Sequence, residues 1–263
     1  NVIEDAGMLK MDFLGLKTLS ILKTAIQYVE ENHGVHYELD EIPEDDEKTF
    51  ELYQNGNTIG TFQFESDGMR KYLKQLKPTE LDDHIAMNAL YRPGPMQFIP
   101  EYIDRKHGRE EVKYPHPDLE ELLKPTYGIM IYQEQIMKAA QKIANYSLGE
   151  ADLLRRAMGK KKKKVMDEQR EIFTKRAIDN GVSESKAEEL FDIMAEFANY
   201  GFNKSHSAAY SVVAYQTAFF KANYPPEYMA AVLTHNMGDI DMVSKFIEEA
   251  NRMGITVDAP NIN

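Results

Sequence analysis

The chain has 263 residues, 43% hydrophobic and 28% charged, a balance that suits a globular fold with a sizeable core and excludes fibrous and disordered classes. It has no cysteine, which excludes disulfides, zinc–thiolate centres and thiol catalysis and fits a reducing cytoplasmic compartment. The net charge of −12 is uneven, with residues 1–50 summing to −8 and residues 151–176 to +6. Because a nucleic acid responds to the field within about a Debye length, ~8 Å at physiological salt, an acidic chain with one basic patch remains compatible with a DNA partner. No apolar run approaches the ~20 residues of a membrane span, and the opening Asn1-Val2-Ile3-Glu4-Asp5 is unlike a signal peptide. The chain starts without Met and stops just after Pro260, so it reads as a piece of something longer.

In chain order, residues 8–14 alternate with period two. Leu9, Met11 and Phe13 share one face and Lys10 and Asp12 the other, the pattern of a half-buried strand. Gly15 ends it, and Leu16, Leu19, Leu22 and Ile26 then step at helical spacing toward His33-Gly34. The acidic stretch 38–47, with Pro43 inside it, is a connector, followed by a short helix at 47–55. Residues 61–64 read as extended, and helices are expected at 67–76 and 79–90, the latter with Ile85, Ala86, Ala89 and Leu90 inward. Arg92-Pro93-Gly94-Pro95 is a rigid turn, since two prolines fix φ and remove two donors.

Residues 126–132 carry enough β-branched and apolar side chains for a strand, and 133–145 form an amphipathic helix. Ser147 and Glu150 have the spacing of a capping box that opens the next helix. Leu148, Ala151, Leu154 and Met158 are its expected buried stripe. The helix over 185–200 should close at Gly201, a typical residue just past a helix end. Residues 205–224 are apolar on every side and predict a central buried helix stopped by Pro225-Pro226. No internal repeat is present, and the fold class is mainly α with a few short strands.

Three places can carry chemistry. Asp12 beside Lys10 can hold Mg²⁺, which takes hard oxygen ligands, although the commoner use of such a pair is a surface salt bridge. Arg155 and Arg156 can reach phosphate oxygens through two-pronged guanidinium contacts, or pair with Asp152 at i,i+3 and i,i+4 for only ~0.3–0.5 kcal/mol. The run Lys160–Lys164 is either a solvated face or a contact to a phosphate backbone. Finally, Tyr200-Gly201-Phe202-Asn203-Lys204-Ser205-His206 brings an aromatic, an amide, a lysine and a histidine to one helix N-terminus, an anion-attracting end. Its exposed aromatics can stack on a base; a capping Ser205 with a packed His206 is the plainer account. The other histidines show no metal-ligand spacing.

Six strings appear in order along the chain: Lys10-Met11-Asp12-Phe13-Leu14-Gly15-Leu16, Thr61-Phe62-Gln63-Phe64-Glu65-Ser66, Tyr91-Arg92-Pro93-Gly94-Pro95, Tyr127-Gly128-Ile129 with Tyr132-Gln133-Glu134-Gln135, Leu154-Arg155-Arg156-Ala157-Met158-Gly159-Lys160-Lys161, and Tyr200-Gly201-Phe202-Asn203-Lys204-Ser205-His206-Ser207-Ala208-Ala209-Tyr210. On these strings the sequence closely resembles the bacterial C-family replicative DNA polymerases, the DNA polymerase III α-subunit family, nearly end to end. The resemblance implies that residues 1–17 are the end of a palm domain and residues 18–263 helical fingers. It implies a metal-binding Asp12, the third of three catalytic aspartates, with Lys10 close by and two Mg²⁺ completed by palm residues outside this chain.

It further implies that Arg155 and Arg156 bind the triphosphate of the incoming dNTP. Tyr200, Asn203, Lys204 and His206 would wall the nascent base pair, with His206 sensing the sugar. Lys160, Lys161 and Lys162 would contact DNA, while Lys163 and Lys164 exceed the family's usual run and inherit no role. The partners implied are primer–template DNA and dNTPs, with the sliding clamp and other replisome subunits bound through parts outside this chain and no membrane. The expected activity is DNA-directed nucleotidyl transfer in a complete parent chain, with the fragment alone inactive. Two alternatives remain at this level, a catalytically inactive helical DNA-binding or scaffold protein and an error-prone paralogue of the same family.

Overall fold

Hydrophobic periodicity and helix caps account for most of the architecture seen in the computed structural model, which describes residues 6–9, 11, 15–160 and 163–259. Thirteen α-helices lie among the described residues. The first, α1 (Lys17–His33), buries Ile21, Leu22, Ala25 and Val29 and ends at Gly34, which adopts φ 68°. Leu19, expected on that face, is instead exposed. Next come α2 (Glu47–Gln54), α3 (Asp67–Leu76), α4 (Leu81–Leu90) and α5 (Ile99–Lys106). Asp46 caps α2 by accepting from Thr49 N at 2.8 Å. Ser66 caps α3, and Lys77 in the left-handed region ends it before Pro78. The inward set on α4 is the predicted one, with Ile85, Ala86, Ala89 and Leu90 all buried.

Five further helices, α6 (Glu120–Leu123), α7 (Gln133–Ala144), α8 (Leu148–Lys160), α9 (Lys163–Asp179) and α10 (Glu184–Ala198), pack around a second apolar cluster that includes Ile136, Leu154, Phe173, Leu190 and Phe191. The chain then returns to the first cluster through α11 (Lys204–Asn223), α12 (Pro225–Thr234) and α13 (Ile240–Arg252). Helix α11 is the hub, contacting α1, α2, α4 and α12, and its residues from Ala214 to Lys221 are buried without a break. That is why its sequence is apolar all round. Phe197, near the end of α10, packs against both clusters and joins them.

The hub also buries a charge. Lys221 Nζ donates to Asn57 O and Ile59 O, both at 2.6 Å, and meets Glu249 Oε1 at 2.5 Å. Arg252 adds a second cation to Glu249 at 2.7 Å. Burial pushes Lys221 down to about 8, against the pull of Glu249. Burial also pushes Glu249 up, but the hydrogen bonds from Arg252 and Lys221 outweigh it and hold the carboxyl below its ordinary value. The pair ties α11 to α13 and to the loop at 57–59, and removing one partner would strand the other.

The predicted strands are corrected. Among the described residues no strand forms, and one parallel bridge joins Tyr132 to Phe202. At 126–132, Tyr127 (φ 51°) and Gly128 (φ 83°) break the extended path. The Gln135 carboxamide oxygen then accepts from Ile131 N at 2.8 Å and Tyr132 N at 3.0 Å, replacing a ladder partner. At 61–64 Gln63 turns the chain with φ 60°, and Thr58 Oγ1 donates to Phe64 O at 2.6 Å. Toward the N-terminus Met8, Leu9 and Met11 are exposed and outside regular structure. With no neighbouring strand among the described residues, their backbone groups have no ladder to join. Lys10, Asp12, Phe13 and Leu14 lie outside the described residues.

Candidate functional site

Helix α8 opens as its sequence predicts. Glu150 Oε2 accepts from Ser147 N at 2.8 Å and Ser147 Oγ accepts from Glu150 N at 3.3 Å, a reciprocal box. Arg176 on α9 donates to the other Glu150 oxygen at 2.8 Å, and chiefly this bond brings the Glu150 carboxyl down to about 2. Ala151, Leu154 and Met158 form the buried stripe, but Leu148 is 60% exposed. It sits at the first helical position, before the helix has turned against its neighbours.

The arginines that follow share one carboxylate. Arg155 Nη2 donates to Asp152 Oδ1 at 2.8 Å and Arg156 Nε to Asp152 Oδ2 at 2.8 Å. The Arg155 bond is the main cause holding Asp152 below its ordinary value. Arg156 is 61% exposed and Arg155 22%, so both remain within reach of solvent anions. None of their hydrogen bonds, among the described residues, runs to the 200–206 turn. The end of α8 nonetheless runs beside the end of α10, since a Cβ at Gly159 would stand 4.0 Å from Ala198 O. The side chains of Lys160–Lys164 lie outside what is described, and so does the backbone at 161 and 162.

The 200–206 turn is more elaborate than its sequence suggests. Its backbone is stitched to the segment before α7, with Phe202 N donating to Ile131 O at 3.1 Å and Gln133 N to Phe202 O at 2.9 Å. The sequence expectation that the helix closes at Gly201 is corrected: α10 ends at Ala198, and Gly201 does not take a left-handed conformation. Its lack of a side chain instead suits close packing, because a Cβ there would stand tightly against Gln133 Cγ at 3.2 Å and Ile136 Cδ1 at 3.3 Å. The N-cap of α11 is Asn203, whose Oδ1 accepts from His206 N at 2.8 Å. Ser205 therefore does not cap the helix. Asn203 wins because its side chain lies one residue before the first helical turn, with the extended backbone a cap needs.

Two charged residues without a role in the sequence reading clamp this turn. Glu134, at the second position of α7, accepts from Asn203 Nδ2 at 2.8 Å and Lys204 N at 2.9 Å. Arg92 donates from Nη2 to the Tyr200 carbonyl and from Nε to Ala89 O at 2.9 Å. Its guanidinium covers the Phe202 ring at 4.6 Å, a cation–π contact. Both residues lie inside strings quoted for the resemblance, but nothing in their local spacing reveals partners about 70 and 108 positions away.

A row of rings follows. His206 lies 4.1 Å from Tyr210 and 5.5 Å from Phe202, and Tyr210 lies 5.5 Å from Phe62. Lys204 Nζ stands 5.4 Å from the centre of the Tyr132 ring. Tyr200 packs over Gly94, where a Cβ would meet its ring carbons at 2.6 and 2.8 Å, and Gly94 holds φ 98°. Tyr200, Asn203, Lys204 and His206 are thus brought to one edge, with Asn203 and His206 exposed and Tyr200 and Lys204 partly so. Such an edge offers amide, ammonium and imidazole groups beside stackable rings at a helix N-terminus.

Among the described residues no three His, Asp or Glu side chains converge to hold an ion. Asp12 and Lys10 lie outside them. No described helix is long and apolar enough to cross a membrane.

Comparison with known proteins follows the same lines. The family described as "Bacterial DNA polymerase III alpha subunit finger domain" matches residues 18–181. Three similar proteins, each named DNA polymerase III subunit alpha, come from Thermus aquaticus (53% identical over 266 residues), Borreliella burgdorferi (50% over 263) and Bacillus subtilis (48% over 261). The matches cover 99–100% of this chain but only 22–23% of those proteins, so the chain spans under a quarter of its relatives' length.

Proposed function

Because the chain belongs to the bacterial DNA polymerase III alpha subunit finger-domain family, we propose that it supplies the nucleotide-facing fingers of a DNA-directed DNA polymerase. In this reading residues 1–17 close the palm and residues 18–263 form the fingers. The complete enzyme transfers a nucleotidyl group from a dNTP to a primer 3′-hydroxyl on template DNA. Its sliding clamp and other replisome subunits bind parts outside this chain, and it works in the cytoplasm.

The observation that carries the reading is the clamped 200–206 turn. Arg92 holds Tyr200 and Glu134 holds Asn203 and Lys204, so Tyr200, Asn203, Lys204 and His206 need little reorganisation to meet a base pair and sugar. A preorganised wall of this kind gives discrimination by shape and orientation. Arg155 and Arg156 take the triphosphate, which displaces Asp152 from their forks. Their role is electrostatic, matching charge as it moves onto the leaving pyrophosphate. Lys160, Lys161 and Lys162 contact the DNA backbone. Asp12 is this chain's carboxylate for Mg²⁺, with Lys10 beside it, and the remaining ligands come from the palm outside the chain.

Primer extension by the complete parent chain tests this reading, with primer–template affinity followed by fluorescence anisotropy at two salt concentrations. Wild type should extend a primer, Asp12→Asn should bind DNA normally and extend nothing, and the isolated 263 residues should incorporate no nucleotide. A wild-type parent that binds DNA without extending it would favour a catalytically inactive scaffold. Extension that survives Asp12→Asn would put the metal carboxylate elsewhere.

A further inference from the structure

We infer that Glu134 is a positioning residue, whose carboxylate sets the shape in which Asn203, Lys204 and His206 meet the nucleotide; the inference rests on the function proposed above. Glu134 is half-buried at the start of α7, and both of its oxygens are given to the start of α11. One carboxylate therefore sits between two helix N-termini, each a region of positive potential. Among the described residues no lysine or arginine pairs with it, so its charge is matched by backbone and amide donors of the turn rather than by a salt bridge.

The bond to Asn203 has a particular consequence. Asn203 gives Nδ2 to Glu134 and takes His206 N on Oδ1. Rotating the amide by half a turn would set its NH₂ group against the His206 N–H and its oxygen against the carboxylate, so Glu134 fixes the amide orientation. Lys204 is fixed through its backbone N–H, which leaves its ammonium directed over Tyr132. Gln133, the preceding residue, reinforces the arrangement by donating Nε2 to Gly201 O at 3.0 Å. The start of α7 is thus a template on which the turn is moulded, and Glu134 is its only charged member.

Single-nucleotide insertion by the complete chain tests the inference, comparing wild type with Glu134→Ala, Glu134→Gln, Glu134→Asp, Asn203→Ala and the Glu134→Ala/Asn203→Ala pair. Thermal midpoints and primer–template affinities are measured alongside. Losing two charge-assisted hydrogen bonds at a positioning site should raise the dNTP KM about tenfold in Glu134→Ala, with primer–template affinity unchanged. Glu134→Gln keeps an acceptor for the Lys204 N–H and should fall between the two. Glu134→Ala should add little once Asn203 is already alanine, because the two act as one unit.

An unchanged KM in Glu134→Ala, or a lowered thermal midpoint with normal kinetics of the folded enzyme, would overturn the inference while leaving the polymerase reading intact. Should the alanine variant not fold, Glu134→Asp decides. Its shorter side chain cannot span both donors, so a raised KM supports the role and a wild-type KM overturns it. A wild-type chain that extends nothing would instead remove the functional reading on which the inference rests.

Discussion

His84 lies on α4 among its buried residues. It is fully buried among Phe50, Tyr53, Phe64 and Tyr215, with the Tyr53 ring 4.1 Å away, and neither ring nitrogen makes a well-formed hydrogen bond. Desolvation is the main cause bringing its pKa to about 4; Asp83 pulls it up and Lys106 pushes it down. The folded value lies below the ordinary 6.5, so between about pH 6.5 and 4 the unfolded chain binds a proton that the folded chain refuses. Stability contributed by neutral His84 is therefore whole above pH 6.5 and lost as pH falls toward 4, by up to about 3 kcal/mol. His84→Leu should flatten that part of the stability–pH curve in urea unfolding at several pH values. A slope unchanged by the substitution would contradict this account of the cage.

At the scale of elements, chain order and helix boundaries were largely legible because caps and periodicity are local. The helix at 67–76, the box at Ser147–Glu150 and the inward set on α4 follow from spacing alone. What failed depends on side-chain hydrogen bonds and packing that composition and periodicity do not carry. Residues 126–132 have strand-like composition, yet Gln135 satisfies their backbone donors and Tyr127 turns left-handed. Leu19 obeys helical spacing but faces solvent, because tertiary packing selects which side of a helix is covered. At the site, Asn203, Lys204 and His206 stood out as a polar cluster after a glycine, whereas Arg92 and Glu134 became visible only once α4, α7 and α11 met.

Gly94 gives this scale its test, since it joins a positive φ to direct contact with the Tyr200 ring. Gly94→Ala should cost about 1–2 kcal/mol of stability through backbone strain. It should also displace Tyr200 and lower kcat/KM for nucleotide insertion. Denaturant unfolding and insertion kinetics check the two effects separately, and a neutral outcome in both would remove the Gly94–Tyr200 contact from the account.

For the molecule as a whole, two apolar clusters meet at Phe197, three residues before Tyr200. The first cluster holds α11 and the second holds α8, so the turn and the arginine pair belong to different packing units, joined at Phe197. The stretch 151–176 sums to +6 within a chain of net charge −12, a local excess of positive charge that suits a nucleic-acid partner. Its resemblance to C-family polymerases was legible across the whole sequence because the matching strings fall in both units. The assignment of roles within them was not, since Arg155 and Arg156 bind Asp152 here and the helix pair alone would account for that geometry.

The central claim is that these arginines are held for a triphosphate. Single-nucleotide insertion by the complete chain, comparing wild type with Arg155→Ala/Arg156→Ala, tests it most directly. The account predicts a dNTP KM raised or a kcat lowered by at least about tenfold, with primer–template affinity unchanged. Kinetics indistinguishable from wild type would contradict it and return the pair to a surface contact with Asp152.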